Sequence, residues 1–463
     1  MEGTQFDFSF APGTTKQQMV GFEMAGELWS QYLNDDVTIN IHVEVTNLLP
    51  DNVIGGALPG MKKNVKFDKV SKQLSRDITS WNDWYAVDSL SGTKEFSASV
   101  NGQRSDKLKE MKLTNANLKA LDLLYAHKDK LDGYILMSDL SGQSNVEWDY
   151  DSARNGNIDD DELDFLSVAV HEVGHILGFT SGLDDGDWLN TVTEARSKGK
   201  DTKTDDMKFT TPLDLFRYSS NGNRDLSIGQ SSYFSINGGR TKLAEFSTGE
   251  FSSLGGDGYQ ASHWKNNGTD VLGIMDPALK LGVRRDISSL DTLAMDITGW
   301  DVVNPGQLDW QDMYADAIAS ANNAYVGTRD KDVEKMIEES NGYKIRGSRR
   351  SRASRRGYSQ LAFQQHIKFQ TLDNVTVELQ PSIVPTQVFT IVDNSVNSFS
   401  TQTFVDLSSE DLDFNDESLE VVITDAVKLE INHEETTSET ANIDLLAIAQ
   451  LTNESIEDAG SLL

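Results

Sequence analysis

Cysteine is missing altogether from the 463 residues. Its absence excludes disulfides and thiolate metal sites alike, so any zinc must be held by His, Asp or Glu. Basic charge is scarce: 41 Lys and Arg stand against 73 Asp and Glu, a formal net charge of −32. Such a surface repels nucleic-acid phosphate and anionic membrane, which excludes both as main partners. No run of about 18 apolar residues occurs, so no transmembrane helix is expected. The opening MEGTQFDFSF also lacks the basic residues and apolar stretch of a secretory signal. Export would need a leader removed upstream or another route.

What is present reads as soluble and globular, with 38% hydrophobic and 25% charged residues. The length suits two or three domains. Met19, Phe22, Met24, Ala25, Leu28, Trp29 and Leu33 fall on one stripe at helical spacing after the Pro12-Gly13 turn. VTINIHVEV, 37–45, alternates with period two and predicts a half-buried strand, with His42 a packed or surface histidine. VIGGALPG, 53–60, reads as a glycine-rich turn. Helices are expected over 66–80 and 114–127, the second with Leu118, Leu121 and Leu124 on its apolar face, and a strand at YILM, 134–137. This succession predicts an α/β (α+β) fold with a twisted mixed sheet. Further on, YFSINGGRTKLAEF, 233–246, reads as a hairpin about Asn237-Gly238-Gly239. SSLDTLAMDITGW reads as a helix capped by Ser288 or Ser289, with Leu290, Leu293, Ala294 and Ile297 on one side.

The chemistry lies in HEVGHILGFTSGLD, 171–184. On a helix His171 and His175 are one turn apart and project from the same face, so two imidazoles can meet one ion. Asp159, Asp160 or Asp161 can cap that helix, and Leu163, Leu166, Val170, Val173 and Leu177 form its buried side. Glu172 beside the first ligand is the general base, and then the general acid, toward a water that attacks a carbonyl. Gly178 lets the chain take a left-handed turn and end the helix.

The extended pattern HExxHxxG resembles the metzincin metallopeptidases. In their commonest form a third His stands three residues after the glycine, where this chain has Ser181. A hydroxyl is a poor zinc ligand, so the third donor lies elsewhere. Asp184 is near but three residues late for the metzincin spacing; Glu194 has a separation close to that of thermolysin-like enzymes; His263 lies in ASHWKNNGTDVLGIMDP. Histidine is the most usual third ligand, which favours His263. Met275 follows it in the turn Gly273-Ile274-Met275-Asp276-Pro277. This resembles leishmanolysin and related metzincins, in which an insertion separates the second and third histidines and a methionine turn follows. The resemblance implies that Met275 floors the metal site and that Asp184 braces the loop after the helix. Residues 6–303 are also similar, in order, to secreted bacterial metalloproteases with HExxHxxGFxSGxD, FSINGG, ASHW and IMDP segments.

The resemblance implies an extracellular zinc endopeptidase acting on protein or peptide, with the YILM strand pairing with substrate backbone. It also implies an N-terminal catalytic subdomain over 1–178 and a C-terminal one over 179–303; beyond the Pro305-Gly306 boundary the residue pattern itself predicts a helical and basic linker over 304–370 and a β-rich acidic tail over 371–463. The alternatives are a binding or adhesion protein with an inactive protease domain and a non-peptide zinc hydrolase. DSARNGNIDDDE, 151–162, fits an EF-hand calcium loop at Asp151, Asn155, Gly156, Ile158, Asp159 and Glu162, but Ala153 removes a ligand, which favours an acidic turn over Ca2+. The run GSRRSRASRRG, 347–357 with Arg346 before it, reads as an exposed linker.

Overall fold

Four strands from the N-terminal half form the middle of one central sheet. The computed structural model describes residues 3–341 except 48, 51, 91–93, 128, 142, 144, 269 and 270, and beyond them four strands, Gln365–Gln370, Phe389–Asp393, Leu419–Ile423 and Val427–Glu430. The chain forms two units, Met1–Gln370 and Thr371–Leu463. The architecture of the first is mixed α+β. Its sheet has seven strands in the order Ala278–Lys280, Gln365–Gln370, Val53–Pro59, Gly133–Ser138, Thr38–Thr46, Gln5–Phe10 and Tyr325–Val326. Gln5–Phe10, Thr38–Thr46 and Gly133–Ser138 run parallel, and Val53–Pro59 is antiparallel to Gly133–Ser138.

Two sequence expectations change here. VIGGALPG is not a turn: Val53–Pro59 is a buried strand, with Gly55 and Gly56 paired to Met137 and Leu136. The YILM strand is interior, hydrogen-bonded on one side to Thr38–Thr46 and on the other to Val53–Pro59. Its backbone groups are consumed within the sheet, so it cannot take an added strand.

Both faces of the sheet are covered. Ile135 and Met137 face the main core, while Tyr134 and Leu136 pack with Leu49, Val53, Leu58, Leu131, Val333, Met336 and Ile337. The helix Asp330–Asn341 thus closes the second face. For that reason Thr38–Thr46 is more buried than alternation suggests, and His42 packs inside, its Nδ1 3.0 Å from the Ser9 hydroxyl and carbonyl oxygens. Burial pushes His42 down to about 4.

The first helix spans Lys16–Tyr32, started by a capping box of Thr15 and Gln18, and buries Met19, Phe22, Met24, Ala25, Leu28 and Trp29. The expected helix over 66–80 stops at Leu74, and a second, Trp81–Ser89, follows, capped by Ser80. That over 114–127 shrinks to Asn115–Ala120, since Asp122 adopts φ +53°, outside helical space. The hairpin is present as Ser232–Phe234 against Ala244–Phe246, and the helix Ser289–Asp296 is capped by Ser288. The buried residues of that last helix include Asp291 and Met295 beside Ala294, while Leu290 and Leu293 are only half-buried. The basic run lies outside the described residues. The second unit contains a three-stranded antiparallel sheet.

Carboxylates crowd where the loop after the first helix meets the end of Ser289–Asp296. Burial, then neighbouring Asp301, Asp35, Asp83 and Asp122, push Asp77 up to about 8. Burial likewise raises Asp35 to about 7 and Asp296 to about 6. The folded chain therefore holds protons that the unfolded chain releases near pH 4. This contribution is complete below that pH and is lost as pH rises through 6 to 8. Thermal unfolding is expected about 5 °C lower at pH 8.5 than at pH 5.5, and Asp77→Asn should flatten the dependence. A midpoint that rises over this range contradicts the assignment.

Candidate metal centre

The helix carrying His171 and His175 spans Phe165–Leu177 and is buried on every side. Its cap is Asp164, whose Oδ2 accepts from Ser167 N at 3.1 Å, and not Asp159, Asp160 or Asp161. Those three precede the short strand Glu162–Asp164, which also takes Leu163 off the helix, so the cap is the last residue before helical backbone. Indole N–H groups of Trp29 and Trp300 donate to Val170 O at 3.0 Å and Leu177 O at 3.1 Å, anchoring the helix to the first helix and to the segment just after Ser289–Asp296.

The helix stops at Gly178, φ +129°, a value that favours glycine. The turn returns Phe179 beneath the helix, where its carbonyl accepts from His175 Nδ1 at 2.7 Å. His171 Nδ1 donates to Ile274 O at 2.7 Å, and His263 Nδ1 donates to Gln260 O at 3.1 Å. Three Nδ1–H donors directed at carbonyls leave three Nε2 lone pairs directed inward. The Nε2 atoms form a near-equilateral triangle: 3.1 Å from His171 to His175 and 3.2 Å from each to His263. Among the described residues this is the one group of three or more His, Asp or Glu side chains close enough to hold a metal ion. Facing lone pairs at these separations favour a shared cation.

The other third-ligand candidates are engaged elsewhere. Glu194 is exposed on the helix Gly186–Ser197 and paired with Lys198. Ser181 donates to Asp214 Oδ1 at 2.7 Å. Asp184 does not contribute to the triangle; its Oδ1 and Oδ2 accept from Ala261 N and Ser262 N, each at 2.8 Å. On the other side, the guanidinium of buried Arg217 donates to Ala261 O, to Ser232 Oγ at 2.7 Å and to Ser247 O at 3.3 Å. An aspartate just after the helix Phe165–Leu177 and an arginine from the hairpin region thus clamp the backbone before His263. Burial raises Asp184 to about 7, against the lowering effect of its N–H donors, and lowers Arg217.

Met275 is fully buried, and its Sδ lies where Gly174 has no side chain, 2.5 Å from an ideal Cβ there. It therefore supports the helix between His171 and His175. Sequence reasoning missed what holds its turn: Asp291 accepts from Ile274 N at 2.8 Å, Met275 N at 3.3 Å, Trp264 Nε1 at 2.8 Å and Ser288 N at 2.7 Å. The signal was available in Ser288-Ser289-Leu290-Asp291, a capping box in which the third residue is acidic.

Glu172 is fully buried, and it too has a partner that the sequence did not suggest. A Cβ on Gly55 would lie 2.7 Å from Glu172 Oε1, so the carboxylate rests on the bare backbone of Val53–Pro59. The glycine pair that resembled a turn is instead a close approach within a strand.

In the acidic loop, Asp151 Oδ2 accepts from Gly156 N at 2.7 Å and lies 3.3 Å from Arg284 Nη2, and the element directly before the loop is the short strand Glu147–Asp149, where an EF-hand has a helix. Its carboxylate shapes an acidic turn. No helix among the described residues is long and apolar enough to cross a membrane. Compared with family models, with curated proteins and with solved structures, the chain matches none.

Proposed function

We propose that this chain is a zinc-dependent endopeptidase of metzincin type, in which His171, His175 and His263 hold the ion and Glu172 moves the proton. The observation that carries the reading is the convergence of three Nε2 atoms within 3.2 Å beside a buried glutamate one residue from the first ligand. Tetrahedral corners around zinc at bonds of about 2.0–2.1 Å lie roughly 3.3 Å apart, close to this triangle. An all-imidazole donor set with backbone carbonyls behind each ring suits zinc and disfavours calcium or magnesium, which take oxygen ligands.

When bound, zinc supplies Lewis acidity, acidifying water and polarising a carbonyl at neutral pH. The chain's own residues do the rest. Glu172 accepts the proton of the attacking water on its carboxylate and delivers it to the departing amide nitrogen, so that OH ends on the carbonyl carbon and H on the amine. Gly55 fixes where that carboxylate stands. Ile274, Phe179 and Gln260 carbonyls hold the three rings in the tautomer that presents Nε2 inward. The expected result is cleavage of casein or a quenched fluorescent peptide by the zinc-loaded chain, abolished by chelation and restored by Zn2+. Zinc-replete protein that cleaves no peptide would favour a binding protein built on an inactive peptidase domain.

A further inference from the structure

The strand Gln365–Gln370 comes from beyond the arginine-rich run, yet it lies inside the central sheet of the first unit. It pairs antiparallel with Val53–Pro59 and parallel with Ala278–Lys280. These two flanking strands do not pair with each other. Without Gln365–Gln370 they would border a groove one strand wide, about 9.5 Å between backbones, with backbone hydrogen-bonding groups facing in from both walls.

Both walls belong to the metal centre. Val53–Pro59 carries Gly55, on which the Glu172 carboxylate rests, and Ala278–Lys280 begins three residues after Met275. Cα atoms of the inserted strand come within 8 Å of those of the Phe165–Leu177 helix. The register sets Ile367 opposite Gly55 and Lys368 opposite Val53, passing over Ile54. The ladder is therefore broken beside the catalytic carboxylate, at the Ile367–Lys368 peptide. His171, Glu172, His175 and His263 all have 0% exposure in this arrangement, as befits a filled groove.

We infer that Gln365–Gln370 is a tethered occupant of the peptide-binding groove, and that it excludes other peptides until displaced or severed. The inference rests on the peptidase reading, since it identifies the groove as that reading's substrate site, which takes extended backbone between two strands. A segment in the same chain competes at an effective concentration on the order of 1 mM. If its intrinsic affinity is about 100 μM, it suppresses activity roughly tenfold.

The test uses the full chain and the variant Ile367→Pro/Lys368→Pro. Successive residues direct N–H groups to opposite edges, so the pair removes one donor toward each wall. Hydrogen exchange is measured over 53–59 and 278–280 with Glu172→Gln in both chains, which makes that readout independent of hydrolysis. Faster exchange in the proline variant is expected, as is binding of a labelled QHIKFQ peptide to that variant and not to the parent. Unchanged exchange overturns the inference whatever the activity. With Glu172 restored and zinc bound, kcat/KM on a quenched peptide is expected to rise about tenfold; equal values in two active chains overturn the inhibitory role. Faster exchange without peptide hydrolysis by either chain upholds the seat of the strand and sinks the peptidase reading instead. Tryptic nicking of the parent among Arg346–Arg356, followed by dilution, needs no substitution and is expected to give the same rise; nicked chain whose activity stays flat on dilution counts against the tether.

Discussion

Glu172→Gln yields a folded chain with its zinc content intact and kcat/KM on a peptide lowered about 10³-fold, within the 10²–10⁴ that positioned proton transfer contributes. The amide keeps the size of the carboxylate, so its seat against Gly55 is preserved. It cannot accept a proton, so the loss falls on kcat with little change in KM. Metal content is unaffected because the three Nε2 atoms meet without it. Steady-state kinetics with metal analysis on one preparation separates these terms. Activity within tenfold of the parent would remove Glu172 from the proton path. Gly55→Ala tests the same geometry from the strand: its methyl would stand 2.7 Å from Oε1. Displacing the carboxylate by about 1 Å is expected to cost on the order of 10²-fold.

The parts of this centre that were legible in the sequence are those whose meaning is local. His171, Glu172 and His175 are fixed by helical spacing, and Gly178 by a positive φ that a side chain resists. His263 and Met275 could be nominated because residue type and a short turn motif restrict the options. What failed depends on partners distant in sequence. Gly55-Gly56 reads as a turn from composition, but the strand tolerates bare backbone because Glu172 and Val168 fill the space from the helix side. YILM is a strand as expected, yet whether it lies inside the sheet or at its edge is decided by Val53–Pro59, about eighty residues earlier. Arg217 looks like an ordinary charge, and Asp184 like a spare ligand or a brace for its own loop, until Ala261 and Ser262 are folded between them. Asp291 could be read as a cap, but its hold on Ile274 and Met275 appears only when two segments meet. Periodicity reports which face is buried and is silent on what buries it.

His263→Ala is expected to abolish stoichiometric zinc binding and, with it, the zinc-dependent rise in thermal stability. Two imidazoles on one helix remain, but the third corner of the triangle is gone, and neither alternative can move in. Glu194 is exposed and paired with Lys198, and both oxygens of Asp184 are committed to Ala261 N and Ser262 N. In the parent chain, zinc at about 1,000 times its Kd stabilises the fold by roughly 4 kcal/mol, because the ion binds only where the two distant segments meet. The variant should unfold at the same temperature with and without zinc, while Glu194→Ala keeps both the metal and the shift. Asp184→Ala supplies the intermediate case: all three rings remain, but the clamp before His263 opens on one side, and zinc affinity is expected to fall about 10- to 100-fold. Metal analysis after dialysis, together with melting curves at graded Zn2+, reads all three variants. One equivalent of tightly held zinc in His263→Ala would mean that the triangle is not the metal centre. The order His263→Ala, then Asp184→Ala, then Glu194→Ala follows from what each residue touches, a corner of the triangle, the backbone just before that corner, and Lys198 at the surface, so inversion of any pair is as damaging as a null result.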